Sequence, residues 1–478
     1  MLPSLLTQGI SKKDYTKDSL SLFCSLWATA SIFHLVAFSD IFIFSPFAWG
    51  TGICSVLLLL RPNNLLFFAL LLITSIIKTF LWLPYGPNHL LFEMFLNIGI
   101  LSALIKAGVA NNLLTINPEQ RKSVYEVFVP FVRVEVIILY LFAGIHKLNS
   151  DFLNPGISCA TFMLNGIRDN VWPIISINSF SEYASIYGTV FVEFLIPILL
   201  FIRRTRTIGL TVGLIFHYIL SIYPHQGLFS FSILIFAIYS TFLSEETVQR
   251  LYFCLKALKH RDVSYLKVFI PITLIWTFIA TAAIYSHHFS LPIKYLGFGA
   301  WYYTGGILIS FYLTTLIKER LIHKKNFSAV KCPVLMLLIL LITFNGICPY
   351  IGLKTETSFS MFSNLRTEGS KTNHFFIPTK YHLTNWQEDL VEIEDSNLPV
   401  LQKYKQGNNL ITFIEFRRIV SNAKGDIYVK YLRKGKKQLL IVRNGISNQL
   451  EATEQLPFLI KKFVRFRPID KGLCLCKH

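Results

Sequence analysis

Apolar residues in this chain come in long unbroken blocks joined by short polar connections, not at the helical or strand spacing of a soluble core. Blocks of roughly 17–25 residues are long enough to cross the hydrocarbon of a bilayer as helices. They fall at 20–38, 46–60, 64–83, 89–109, 123–148, 182–202, 207–223, 227–244, 265–286, 297–317 and 332–352, the second being short and the least secure. The pattern predicts an all-α multi-pass transmembrane bundle of about eleven helices, because only helices of this length satisfy every backbone polar group within lipid.

Beyond residue 352 the pattern changes. Residues 353–478 are polar and charged, with turn signals at Asn408-Asn409, Lys424-Gly425, Lys434-Gly435 and Asn444-Gly445. Residues 427–432 and 438–442 read as two strands of a hairpin around Arg433-Lys434-Gly435-Lys436. Residues 410–420 and 456–464 have the spacing of amphipathic helices. A small C-terminal extramembrane α/β domain is expected here. The chain then divides into a tail (1–19), a first membrane region (20–250), further membrane helices (251–352) and this domain (353–478).

Composition agrees with a membrane protein. The chain is 53% hydrophobic and only 15% charged, where soluble domains carry roughly 25% charge. The net charge of +19 does not point to nucleic acid, because the cations sit in alternate connections. The tail holds Lys12, Lys13 and Lys17; later connections hold Arg61, then Arg121 and Lys122, then Arg203, Arg204 and Arg206. Arg250, Lys256, Lys259 and Arg261 follow, then Lys318, Arg320, Lys324 and Lys325. Only Arg168 and Lys294 break the alternation. The positive-inside rule places the N-terminus in the cytoplasm and the C-terminal domain outside, in a cell (inner) membrane. No cleavable leader is expected, since the tail runs straight into an apolar block without a small-residue cleavage site. The eight cysteines have no metal-ligand spacing; Cys474, Cys476 and His478 form a compact terminal cluster of a kind that binds metal, but read more readily as a frayed tail. No metal site is predicted.

Ionisable groups inside membrane spans are costly and are candidates for function or for helix–helix bonding. Arg133 and Glu135 share the 123–148 block but, two residues apart, point to different faces. Glu193 is expected to meet a basic group from a neighbouring helix, and His217 to form an interhelical hydrogen bond. Lys147 ends its apolar block, where two readings are open. Its stem can extend toward the water interface, or its ammonium can shed a proton in a poorly hydrated site and act as a base.

The segment around Lys147 carries a resemblance. Tyr140-Leu-Phe-Ala-Gly-Ile-His146-Lys147-Leu, followed by Asp151-Phe152-Leu153 and Gly156, resembles the signature of the vitamin K-dependent gamma-carboxylase family and its bacterial HTTM (horizontally transferred transmembrane) relatives. Gly86-Pro87-Asn88-His89-Leu90-Leu91, and the run from Glu193 through Arg203-Arg204-Thr205-Arg206 to Phe216-His217 and Phe229, are similar to further family stretches. The similarity spans residues 20–250. It implies carboxylation (a lyase activity) coupled to epoxidation of an isoprenoid hydroquinone of the vitamin K type, with O2 and CO2. Lys147 falls on the base and His89 on the functional histidine, with Asn88, Tyr140, His146, Glu193 and His217 around them. A secreted peptide or protein is the implied substrate. The chain departs from the carboxylase in having His146 where that enzyme has a second lysine, and Leu220 where it has an asparagine. The large lumenal region that holds the propeptide has no counterpart of similar size.

A second segment, 357–374, mixes aromatics with Asn364, Arg366, Glu368 and His374 directly after the last apolar block. It is similar to extensions of bacterial relatives, and Arg366 suits bidentate contact with a carboxylate. An interfacial segment with aromatic anchors is the alternative. The competing functional classes are a non-enzymatic membrane protein that matures, binds or protects a secreted peptide, and a transporter.

Overall fold

The structure is a computed structural model that describes residues 18–108, 113, 117–286, 293–319, 328–369 and 371–476. Lys12, Lys13, Lys17, Arg320, Lys324, Lys325 and His478 lie outside the described residues, as does the side chain of Lys294.

A helix stands at each of the apolar blocks. Six are long and apolar enough to cross a membrane: Ser19–Ala37, Leu65–Trp82, Asn88–Lys106, Pro118–His146, Ser179–Phe201 and Pro333–Ile351. A seventh is counted if Gln226–Phe242 and Glu245–Lys259, bent by 117°, form one span. The bend has a local cause. Leu243 is extended, and the Ser244 side chain starts the second helix by accepting from Thr247 N at 3.2 Å. Pro46–Leu60, Arg206–Leu220 and Val263–Phe278 are apolar but shorter. At ~1.5 Å per residue, a 15-residue helix falls short of a hydrocarbon core of about 30 Å. Among the described residues the expected eleven spans therefore reduce, by length and composition, to six or seven.

The chain forms two compact units. The first comprises residues 1–78, 96–134 and 198–336. Its centre is Gln226–Tyr239, which is buried at every position from Gly227 to Tyr239, as a helix apolar on all sides must be. Against it packs Ser19–Ala37, capped by the Asp18 side chain, which accepts from Ser21 N and pairs with Arg121. Phe23 and Trp27 of this helix stack on each other, Phe128 packs tilted against Phe23, and the Trp27 indole donates to Asn97 at 3.1 Å.

The second unit comprises residues 79–95, 135–197 and 337–478. Its C-terminal part holds six antiparallel strands: β1 (Leu390–Ser396), β2 (Asn409–Thr412), β3 (Ile427–Arg433), β4 (Lys436–Arg443), β5 (Ile446–Ser447) and β6 (Ile469–Asp470), in the order β5-β4-β3-β1-β2-β6. β3 alternates buried Ile427, Val429 and Tyr431 with Tyr428 and Lys430, so one face meets the core. The predicted hairpin forms, and its turn places Lys434 and Gly435 at φ 52° and 72°. Phe413–Asn422 covers the core face with Phe416 and Val420. The expected helix over 410–420 starts late, because Leu410 and Ile411 pair in β2 and Thr412 caps the helix. Over 352–369 and 371–389 the described backbone between the last apolar helix and this sheet is irregular apart from a short 3-10 helix, Thr379–Tyr381.

Candidate functional site

The Pro118–His146 helix ends in tight turns, with Lys147 N donating to Gly144 O at 3.1 Å and Leu148 N to Ile145 O at 3.0 Å. Asn149 finishes the helix: its Nδ2 donates to His146 O at 2.8 Å and its Oδ1 accepts from Phe152 N at 2.8 Å. This turn directs Lys147 inward, where it is only 4% exposed. Its Nζ donates to Glu193 Oε1 at 2.9 Å and to Ala143 O at 3.3 Å, and it lies 5.8 Å from the centre of the Phe152 ring. Of the two readings left open by the sequence, extension into water is not the one adopted. The basic group that meets Glu193 is Lys147 itself.

Gly144 makes the pairing possible. A Cβ there would stand 2.9 Å from the Phe194 ring, so a larger residue would separate the two backbones that carry Lys147 and Glu193. Glu193 Oε2 is buried and has no hydrogen-bond partner among the described residues. Glu135, on the same helix as Lys147, is fully buried with neither carboxyl oxygen hydrogen-bonded among the described residues.

His146, next to the pair, is fully buried and clamped. Its Nδ1 lies 2.7 Å from the Tyr350 hydroxyl and its Nε2 lies 3.1 Å from Ser358 O. A carbonyl only accepts, so Nε2 carries the hydrogen, and in the neutral ring Nδ1 accepts from Tyr350. Where the carboxylase has a second lysine, this chain has a bracket holding the segment that follows the last apolar helix.

That segment is strained and heavily bonded. Thr357, Phe359, Phe362 and Asn364 adopt φ of 56°, 67°, 51° and 52°, each at about 1 kcal/mol or more for a non-glycine residue. Specific bonds offset the cost. Phe359 N donates to the Asn88 side chain at 2.6 Å, and Asn345 Nδ2 donates to Thr357 O at 2.9 Å. The Phe359 ring is fully buried beside Phe92 and Phe142. Asn364 Oδ1 accepts from Cys159 N at 2.8 Å, while its Nδ2 donates to Ile157 O and Cys474 O. Arg366, expected to suit a carboxylate, sends Nη1 to the carbonyls of Asp470 and Gly472. For Cys474 and Cys476 the reading as a frayed tail is corrected: Cys476 forms a disulfide with Cys159, with Cα atoms 5.0 Å apart. The covalent bond and the Asn364 bridge hold that tail in place.

His89 and Tyr140 are buried at 3% and 4% exposure in the same unit, whereas His217 belongs to the first unit. There its ring lies among Phe216, Phe231 and Tyr239. Asn149, Tyr350, Asn345 and Lys354 escaped the sequence reading. Their one signal is position, as polar residues at or just beyond the end of an apolar block.

Lys354, outside the spans, is buried and donates to Thr357 Oγ1 at 3.2 Å. Burial pushes its ammonium down to about 8 from the ordinary 10.5. Below pH 8 both folded and unfolded chains carry this proton, and the buried charge is a cost. Between about 8 and 10.5 the unfolded chain holds a proton that the folded chain has lost, so stability rises with pH through this window. Lys354→Met should therefore be more stable than the parent at pH 7 by about 2–3 kcal/mol, with the gap closing toward pH 10. Thermal midpoints of both proteins across that range check it; a gap independent of pH would refute it.

Among the described residues, no group of three or more His, Cys, Asp or Glu is placed to hold a metal ion. A family model described as the HTTM domain matches residues 67–246. No curated protein and no solved structure matches the chain. The apolar helices and this match together make the chain a multi-span membrane protein that carries an HTTM domain over residues 67–246.

Proposed function

We propose that this HTTM domain carries out quinol-dependent proton-transfer chemistry of the vitamin K-dependent gamma-carboxylase type, with Lys147 as the base and Glu193 as its proton partner. The observation that carries the reading is the buried contact between Lys147 Nζ and Glu193 Oε1 at 2.9 Å, with Glu193 Oε2 left without a partner. In a poorly hydrated site such a pair interconverts with a neutral amine and a carboxylic acid by moving one proton. In the neutral form Lys147 accepts a proton from a weak acid, and Glu193 holds the proton it has given up.

An isoprenoid hydroquinone fits the groups present. Glu193 Oε2 is an unsatisfied buried acceptor for a phenolic hydroxyl, and Phe152 and Phe194 line the pair with aromatic surface. When bound with O2 and CO2, such a quinol would supply the oxidative energy for deprotonating and carboxylating a carbon acid. His89 relays a proton or orients the bound group, and Asn88 and His146 hold the 355–364 segment beside the pair. A secreted peptide is the substrate class.

The site faces the extracytoplasmic side of a cell membrane in this reading. Two observations support it. Cations gather in alternate connections, at Arg61, Arg121, Arg203 and Arg250, while the connections next to Asn88 and Lys147 hold only Arg168. The Cys159–Cys476 disulfide suits an oxidising compartment. A thiol tag placed after His478 should be labelled from outside intact cells; labelling only after permeabilisation would reverse the orientation.

The chemistry is tested by replacing Lys147 and His89 by alanine separately and following quinol oxidation in membranes. Loss in the Lys147 variant, with a smaller loss at His89, is the expected result. Parent-like turnover in both would favour a protein that binds or protects a peptide without chemistry.

A further inference from the structure

The last carbonyls of an α-helix have no partner within the helix. At the end of Leu65–Trp82 a lysine from the C-terminal part of the chain supplies one. Lys462 Nζ donates to Phe80 O at 3.1 Å, Leu81 O at 3.2 Å and Leu83 O at 3.4 Å. These bonds use all three ammonium hydrogens, and the charge suits the negative end of the helix dipole. The Phe80 ring also meets Phe458 and Phe463, with ring centres 6.2 and 6.3 Å apart. The short helix Phe458–Phe463 is thus fixed at the end of Leu65–Trp82, and Ile460 ties it to the core of Ile414, Leu456 and Phe466.

This attachment leaves large apolar side chains uncovered. Phe458 is 61% exposed, Leu459 67%, and Leu81 on the longer helix 56%. Leu65–Trp82 is long and apolar enough to cross a membrane, so Leu81, next to its last residue, marks the edge of the hydrocarbon. Phe458 packs on the neighbouring Phe80 and stands at the same level, where aromatic side chains are favoured. A second stretch repeats the arrangement. Leu383 N donates to the carbonyl of Ile351, the last residue of the candidate span Pro333–Ile351, at 2.8 Å. The Leu383 side chain is 73% exposed.

We propose that residues 353–478 form a domain that docks on the bilayer itself, with Phe458, Leu459 and Leu383 entering the boundary between headgroups and acyl chains. Side chains of this kind bind by the apolar area they bury at that depth. Lipid is the occupant because the uncovered surface is continuous with Leu81 at the end of a span, where lipid already stands. A second copy or a peptide would first have to displace it. The proposal rests on Leu65–Trp82 and Pro333–Ile351 crossing a bilayer. It needs neither the Lys147 chemistry nor an assignment of the cytoplasmic side.

The test places the photo-crosslinking residue p-benzoylphenylalanine at Leu459, Leu383, Leu81 or Ile446, one position at a time, in the full chain in phosphatidylcholine vesicles. All four positions are exposed, so the probe does not disturb a core. Ile446 is the control, 78% exposed but in the edge strand β5. After irradiation, intact-mass measurement should show one added phosphatidylcholine at Leu459, Leu383 and Leu81 and none at Ile446. Lipid addition at Leu81 without addition at Leu459 and Leu383 overturns the docking while leaving the span intact. Equal addition at Ile446 overturns it as well. A cross-linked dimer at Leu459 or Leu383 in place of the lipid overturns it in favour of a second copy.

Discussion

Glu193→Leu should destabilise the protein by about 3–5 kcal/mol, the cost of leaving one half of a buried ion pair without its partner. Lys147 would be left 4% exposed with only the Ala143 carbonyl, at 3.3 Å, to receive its ammonium. Lys147→Met should be costly for the mirror reason, since Glu193 would then have neither oxygen bonded. The double variant Lys147→Met/Glu193→Leu should recover most of the loss, because two apolar side chains of similar size need no partners. Activity should behave differently. Under the proposed chemistry all three variants should lose quinol oxidation, since each lacks the proposed base or its proton partner. Thermal midpoints in detergent and quinol turnover in membranes measure the two effects. Single variants as stable as the parent, or a double variant whose loss is the sum of the singles, would show that the pair is not a coupled buried unit.

Cys476→Ser should cost about 2–5 kcal/mol, the usual effect of removing a native disulfide. The bond closes a loop of 317 residues in sequence and holds the tail whose Cys474 carbonyl receives the Asn364 side chain. Releasing it also loosens the Gly472 carbonyl that receives Arg366, while the second carbonyl partner, Asp470, stays held in β6. The strained 357–364 backbone would lose part of what offsets its left-handed residues. Reduced parent protein should melt like the variant, and the variant should be indifferent to reductant. Mapping of free thiols completes the test: finding Cys159 and Cys476 both alkylated in unreduced protein would refute the pairing.

The parts of the fold legible in the chain are those governed by short-range periodicity. Apolar blocks marked helices because a bilayer demands contiguous length. The hairpin of β3 and β4 was legible because alternation and Lys434-Gly435 are both local signals. Boundaries were less so. Leu410 and Ile411 suit a helix or a strand, and pairing with β1 decided for the strand. The eleven apolar blocks all became helices, but their ability to span depends on length, and Pro46–Leu60, with the same 15 residues as its block, is too short for the hydrocarbon.

By itself the sequence determined a multi-helix membrane protein with a polar C-terminal α/β region, and it singled out Lys147 through its Ala-Gly-Ile-His-Lys-Leu neighbourhood. Only tertiary structure decided what Lys147 meets. Its partner lies 46 residues away and its clamp, through His146 and Ser358, 212 residues away. The tail was fixed by a cysteine 317 residues distant. Contacts at such separations leave no trace in local hydropathy, because they are chosen by which helix ends and loops come together in space. The chain marked an ambiguous charge at a helix end, and packing turned it onto a buried carboxylate.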